Sequence, residues 1–339
     1  MRKTVLMVGL LAMGAAKAQP DSVGRGSKTR AALQPNCLHE LLITSDNDNY
    51  ALRRRDGYYT NGLVLAWNHA VNPWRVNGKR QKVIKAVQGV HIGQKIYNPV
   101  RFDSINPANQ DRPFAGYLFA SYDRRTAYAH GGLLQWSATL GTIGPRSLAQ
   151  QVQNGYHEAI NIYPVRGWPT QLRNEASLNL GILYTKSLMP GMVEQRHADV
   201  AYIAAANLGN ALTNASAALL LRVGRMQGNH NTVQWHTRVS RGKVVARQST
   251  AEMFGFVQPM LTAQAYQAVL QGGLFLRNKG PVTAALEPLV FSLQAGFKYA
   301  YNRCSINLHY LYRGKEAKGQ LRSESLVGIE LALRFGNAN

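Results

Sequence analysis

What most constrains this chain is an alternation that keeps returning. In the stretch 59–68, Tyr59, Asn61, Leu63, Leu65 and Trp67 fall on one face, while Thr60, Gly62, Val64, Ala66 and Asn68 fall on the other. A period of two is that of an extended strand, whose successive side chains point to opposite faces. The stretches 134–140, 178–185, 291–302, 305–312 and 327–335 repeat it. Runs of roughly ten residues with one apolar face rimmed by aromatics have the length and pattern of strands that cross a bilayer. Lys298, Glu330 and Arg334 lie on the other face. They need an interior that is wet or internally paired. A soluble sandwich has shorter strands and turns its polar side chains to solvent. The expectation is an all-β fold: a transmembrane antiparallel β-barrel of about twelve strands, with a short helix in an extracellular loop.

The strands are expected at 37–45, 58–69, 83–96, 114–123, 129–142, 174–187, 197–208, 212–225, 250–261, 288–301, 304–313 and 324–335. Pro259 makes the ninth the weakest, because proline donates nothing to a ladder. With both termini on the periplasmic side, the connections 46–57, 97–113, 143–173 and 262–287 open together on the outer side. The connection 226–249 strains this topology. It belongs to the short-turn side, yet it is long and basic, with His230, His236, Arg238, Arg241 and Lys243.

The N-terminus bounds the compartment. Arg2 and Lys3 precede an apolar run and the small-x-small site Ala16-Lys17-Ala18, the order of a secretory signal peptide. The expected organisation is a signal peptide at 1–18, an N-terminal segment at 19–36 and an outer-membrane barrel domain at 37–339. The formal charge is +22, and +22 − 3 = +19 once Arg2, Lys3 and Lys17 are removed. Nucleic acid is an improbable partner for an exported chain; anionic outer-membrane lipids and lipopolysaccharide phosphates suit that charge. Cys37 and Cys304 are the only cysteines. They fit no zinc spacing, and whether they pair is a matter of distance.

Three polar segments converge on the expected outer rim. Asp46-Asn47-Asp48 is followed by Tyr59-Thr60-Asn61-Gly62. Tyr97-Asn98-Pro99 leads to Asp111-Arg112-Pro113-Phe114-Ala115-Gly116. Gly144-Pro145 precedes Val152-Gln153 and His157, then Gly167-Trp168 and Gln171. A helix over 147–160, started by Ser147, would line up Leu148, Val152, Tyr156 and Ile160, with Gln153 and His157 on a neighbouring face. Aspartate and asparagine oxygens suit a hard cation such as Ca²⁺. A histidine beside them can take a proton from water, and a cation can polarise an ester carbonyl. Each piece also has a plainer reading: a polar turn at 46–49, a structural ion pair at Asp111-Arg112, a surface histidine at 157. His197 and Asp199 share a strand face but make a weak metal site.

In this order and spacing the segments resemble the outer-membrane lipid A 3′-O-deacylase family, over about residues 42–335. The resemblance implies a twelve-stranded barrel that removes ester-linked acyl chains from the 3′ side of lipid A and requires Ca²⁺. Carried over by motif, Asn47 and Asp48 would help bind the metal, Thr60 would orient the site, His157 would be the general base and Gln153 would line the pocket beside it. Asp111 and Arg112 are candidate substrate-binding residues. The chain departs from the pattern at Asp46, where glutamate is frequent, and at Pro169, where an acidic residue is. Glu158 and Glu175 are candidates for completing the metal shell. The alternatives are an outer-membrane phospholipase and a non-catalytic small barrel serving as channel or adhesion surface. Barrel phospholipases resemble serine hydrolases with a serine two positions after the histidine, whereas Glu158 and Ala159 follow His157 here.

Overall fold

The computed structural model describes residues 36–51, 57–72, 83–189, 193, 197–241 and 251–337. The expected signal peptide at 1–18, nearly all of the segment 19–36, and Lys243 lie outside the described residues. Twelve strands follow in order: β1 (Cys37–Asn47), β2 (Tyr58–Val71), β3 (Val83–Asn98), β4 (Ala115–Tyr128), β5 (Gly132–Ile143), β6 (Glu175–Ser187), β7 (Ala198–Gly209), β8 (Leu212–Arg225), β9 (Ala251–Gln267), β10 (Leu289–Tyr301), β11 (Cys304–Arg313) and β12 (Glu324–Asn337). Each pairs antiparallel with the next, and β12 pairs with β1 to close the barrel. Closure leaves no strand edge unpaired, which a bilayer demands because it offers backbone groups no water.

The alternation sorts side chains as a membrane barrel requires. Leu41, Ile43, Leu63, Leu65, Trp67, Val90, Ile92, Leu140 and Leu180 are exposed on the outer wall, where lipid meets them. Their neighbours in sequence turn into the lumen and pair there. Glu40 accepts from Asn68 Nδ2 at 3.0 Å and from Arg334 Nη1 at 3.1 Å. Asp123 accepts from Arg125 at 2.8 Å and meets His91 at 2.5 Å. Asp199 pairs with Arg222, a strand-to-strand ion pair rather than half of a metal site. Buried charges persist only when compensated in this way.

Among the described residues the ladders shift register at three places, Tyr59/Asn61, Val83/Lys85 and Thr213/Asn214, and the first matters most. Tyr59 pairs with Tyr97, but Asn61 pairs with Ile96, so Thr60 is an extra residue in β2. Such a β-bulge flips every residue on one side of it relative to plain alternation. Tyr59 therefore points into the lumen, not outward with Leu63 as the period-two reading has it. Its hydroxyl donates to Asp46 Oδ2 at 3.4 Å.

β9 runs through Pro259 without a bulge, the proline pairing with Leu293 of β10. Its ladder to β8 passes from Ala218–Met260 to Leu221–Val257 and skips the proline. The long connection between β8 and β9 folds into the terminal end of the barrel. Lys85 Nζ donates to the Thr237 carbonyl at 2.7 Å, and Arg125 to that of Trp235 at 3.4 Å. His236 Nδ1 lies 3.2 Å from Glu40, and Glu252 accepts from Gln227 N and Val233 N. Residues 226–241 are thus a plug; their basic and polar side chains answer the lumen's carboxylates. A lumen cavity of about 570 Å³ remains above it, lined by Asp46, Tyr59, Lys95, Trp235, His309 and Arg313 among others.

The longer connections gather at the distal end, away from the chain termini. One carries α1 (Ala149–Ala159), another the single turn α2 (Ala268–Gln271). Ser147 does not start α1, as its sequence position suggests. Its hydroxyl donates to the Gly144 carbonyl at 2.6 Å, and Leu148, in the left-handed region at φ 59°, is the first flanking residue. Cys37 is buried, Cys304 exposed, and both are free thiols.

Candidate functional site

The candidate residues form two groups on the outer face of the distal wall. The first surrounds the β1–β2 connection. Asp48 Oδ2 accepts from Gly57 N at 2.9 Å, and Asn47 Oδ1 accepts from Asn49 N at 2.7 Å, two short-range bonds that shape a tight polar turn. Thr60 is buried, its hydroxyl oxygen has no hydrogen-bond partner, and it does not line the lumen cavity that Tyr59 lines. Gly62 explains the last letter of the Tyr-Thr-Asn-Gly motif. A Cβ there would lie 1.8 Å from Tyr59 Oη. The motif therefore reads as one unit: Tyr59 folds over Gly62 to reach Asp46, and the bulge this creates sets Thr60.

The second group is α1. Its face bearing Ala149, Gln153 and His157 is buried, and the helix is held against β4 where Gly116 lets it approach. A Cβ on Gly116 would meet Ser147 Oγ at 2.0 Å and Ala149 Cβ at 2.3 Å. Gly116 pairs with Ile96, which has the parity of lipid-facing Val90 and Ile92. Hence α1 lies on the outside of the barrel wall, not over the lumen mouth. Ile96, Phe114, Ala149, Val165 and Trp168 form the apolar seat beneath it. Gln94 Nε2 donates to the Ser147 carbonyl at 2.6 Å and fixes the turn before the helix.

His157 is 3 % exposed. Its Nδ1 sits 2.8 Å from the Tyr163 carbonyl. A carbonyl oxygen only accepts, so Nδ1 carries the proton and Nε2 is the basic nitrogen. One turn earlier, Gln153 Oε1 accepts from Trp168 Nε1 at 2.9 Å, while its buried amide nitrogen has no partner. The helix thus presents a base and an unspent donor on one face.

The two groups are joined by the sheet. Asn47, Asn61, Ile96 and Gly116 are successive register partners on the outward face. Strands are spaced about 4.8 Å apart, so the polar turn and the helix flank a strip of wall over β2 and β3. Asn98 stands at the end of this strip. It pairs with Tyr58, is fully buried, and neither atom of its amide has a partner. Its sequence setting, between Tyr97 and Pro99, carried no role. The sequence places Asn98 on the outer rim, and the orphaned amide marks it as a candidate donor.

Asp111 and Arg112 stand in the distal rim. Asp111 accepts from Tyr58 Oη at 2.6 Å, Val100 N at 3.0 Å and Leu321 N at 3.2 Å, which ties three distal connections together. Arg112 is fully buried, with its guanidinium 5.0 Å from the Tyr97 ring centre and 6.0 Å from that of Tyr58. It lies 3.8 Å from Glu316. Asp111 is half-buried and braces the rim through these bonds, while none of the three buried guanidinium nitrogens of Arg112 has a hydrogen-bond partner. Glu158 is exposed on the far side of α1. Glu175 Oε1 accepts from Asn210 Nδ2 and Leu274 N, each at 3.0 Å, while its buried Oε2 has no partner.

Comparison with known proteins agrees with this architecture. The family model described as "Outer membrane protein LpxR" matches residues 5–335. Among solved structures, LpxR from Salmonella typhimurium superposes with a TM-score of 0.67 at 18 % identity, covering 87 % of this chain and 100 % of that one. The β-domain of the Bordetella autotransporter Brka has a TM-score of 0.41 at 10 % identity, covering 88 % and 100 %. No curated protein matches the sequence. With its family match spanning nearly the whole chain and its barrel closed by twelve strands, the chain belongs to the LpxR outer membrane protein family.

Proposed function

We propose that this barrel is a lipid A deacylase of the outer membrane, an esterase that hydrolyses an ester-linked acyl chain at the 3′ side of lipid A. The observation that carries the proposal is His157. It is a buried histidine whose tautomer is set by a carbonyl, on the outside of a membrane barrel, where a lipid can reach it and a lumen solute cannot. The distal end then faces the cell exterior, and the substrate enters sideways from the outer leaflet.

The strip of wall offers a base and a hydrogen-bond donor for the reaction. Water held at His157 Nε2 attacks the ester carbonyl carbon while Nε2 takes its proton. The tetrahedral intermediate bears its charge on the former carbonyl oxygen, towards which the unspent Gln153 amide N–H donates. Collapse breaks the bond between that carbon and the sugar oxygen. The departing alkoxide regains the proton from Nε2, and the products are a free fatty acid and a sugar hydroxyl. Trp168, bonded to Gln153 and packed on Phe114, keeps the donor in place.

The donors around the polar turn suit a hard cation such as Ca²⁺, since all are oxygens: the Asp48 carboxylate, the Asn47 amide, and the orphaned oxygens of Thr60 and Asn98. Among the described residues no group of three or more His, Cys, Asp and Glu stands together, so neutral oxygens must complete such a shell. When bound there, Ca²⁺ supplies Lewis-acid polarisation of the ester carbonyl. Phosphates of lipid A fall to the exposed distal cations Arg101, Arg146 and Arg166. A channel is disfavoured by the plug, whose residues bond to β1, β3, β4 and β9.

The test is lipid A extracted from cells producing either the wild-type chain or His157→Ala. The wild type is expected to remove one acyl chain by mass and the variant none, although it inserts as a folded barrel. A variant that deacylates normally removes His157 as the base.

A further inference from the structure

We infer that the outer side of α1 is a membrane-binding surface that lies in the outer leaflet, with its partner the acyl layer of that leaflet. The helix has three distinct sides. Ala149, Gln153 and His157 face the barrel wall and are buried. Gln151 and Glu158 are exposed on a polar side with Asn154 beside them. On the third side Leu148, Val152, Tyr156 and Ile160 are 52, 44, 56 and 44 % exposed. Spaced four apart, these residues form one continuous stripe. It extends beyond the helix through Ile162 and Tyr163, which are 39 and 62 % exposed, and the Tyr163 ring stacks on Phe102 at 5.9 Å.

A stripe of this size facing water is costly, since apolar surface costs on the order of 25 cal/mol per Å² when left wetted. Exposed patches of that kind mark partners. Here the partner follows from position. α1 is seated on Gly116 and Ile96, and beyond Gln94 the same outward face continues into lipid-facing Ile92 and, across Ala120, Leu140. The stripe continues an interface that is already with lipid. A helix with an apolar side, a polar side and a tyrosine in its stripe has the pattern of those that lie at a membrane boundary. The inference stands whether or not the barrel is an esterase. Where it is one, the same surface places acyl chains beside the His157 face.

The experiment places a nitroxide label on Val152→Cys in a Cys304→Ser background, Cys37 being buried, in phosphatidylcholine–phosphatidylglycerol vesicles. Collisions with oxygen and with a water-soluble nickel chelate are compared with those at Leu140→Cys on the wall and at Gln151→Cys on the polar side. The label at 152 is expected to resemble that at 140, oxygen-rich and shielded from the chelate. Tyr156→Cys, on the same stripe, provides an independent reading should the first label perturb the helix. A label at 152 or 156 that behaves like the one at 151 overturns the inference. So does shielding that disappears on dilution in lipid, because a second copy of the chain would then be the partner.

Discussion

Replacing Gly62 by alanine tests whether the Tyr-Thr-Asn-Gly motif works as a unit. The added Cβ would lie 1.8 Å from Tyr59 Oη and 2.8 Å from its Cζ. The phenol must therefore move by roughly 1.5 Å to reach ordinary van der Waals contact. Tyr59 is 5 % exposed and packs edge-on against Tyr97 at 5.4 Å, so the ring has little room. Overpacking of this kind costs about 1–3 kcal/mol. Losing the bond to Asp46 adds about 1 kcal/mol, and alanine's smaller loss of chain entropy returns about 0.5–1 kcal/mol. The net expectation is about 1–3.5 kcal/mol of destabilisation. Tyr59→Phe alone should cost about 1 kcal/mol. In the double variant the worst collision is gone, so the two costs should fall short of additive by about 1 kcal/mol or more. The assay is urea unfolding in lipid vesicles, read by the heat-sensitive gel migration of folded barrels, with deacylation measured in parallel. Additive costs, or Gly62→Ala with wild-type stability and activity, would refute the reading of the bulge.

Other expectations follow from the same geometry. Gln153→Glu replaces the unspent amide donor with an acceptor and should lower kcat by about 10²–10³-fold with little change in KM, measured on purified lipid A in detergent. Asp48→Asn should raise the Ca²⁺ concentration needed for half-maximal activity; an unchanged requirement removes Asp48 from the cation shell. Glu252→Gln strips the plug of a charged acceptor for Val233 N and Arg238. It should destabilise the barrel by about 2–4 kcal/mol without altering deacylation in folded protein. Removing residues 228–240 should raise the single-channel conductance of reconstituted barrels; no change would mean that the plug is not what closes the lumen.

The wall of this protein was readable because lipid and a paired lumen impose a strict period of two. Leu63, Leu65, Trp67 and the lumen pair Glu40–Arg334 obey it over the whole barrel. What escaped the reading lies where one residue breaks the count. Thr60 is a single inserted residue, and no feature of alternation announces it, so Tyr59 is assigned to the wrong face. Pro259 weakens the case for β9 because a sequence cannot show that only one of its two ladders yields. The segment 226–241 reads as a loop because its binding partners, Glu40 and Glu252, lie far from it in sequence. Arg112 reads as a ligand-binding cation, and nothing in the sequence shows that Tyr58, Tyr97 and Glu316 enclose it. His157 and Gln153 were legible as a pair from helical spacing, but not the wall they face. The stripe Leu148, Val152, Tyr156 and Ile160 has the period of a packing face and turns out to be the exposed one.

Hydrolysis of a lipid A ester on the strip of outer wall between Asn47 and His157 is what we propose. Its most direct test is mass spectrometry of purified lipid A incubated with the full-length protein in Ca²⁺ and again in a chelator. The account predicts loss of one ester-linked acyl chain from the 3′ side, with the free fatty acid recovered, only when Ca²⁺ is present and His157 is intact. Lipid A of unchanged mass, with a folded barrel and Ca²⁺ present, would contradict it.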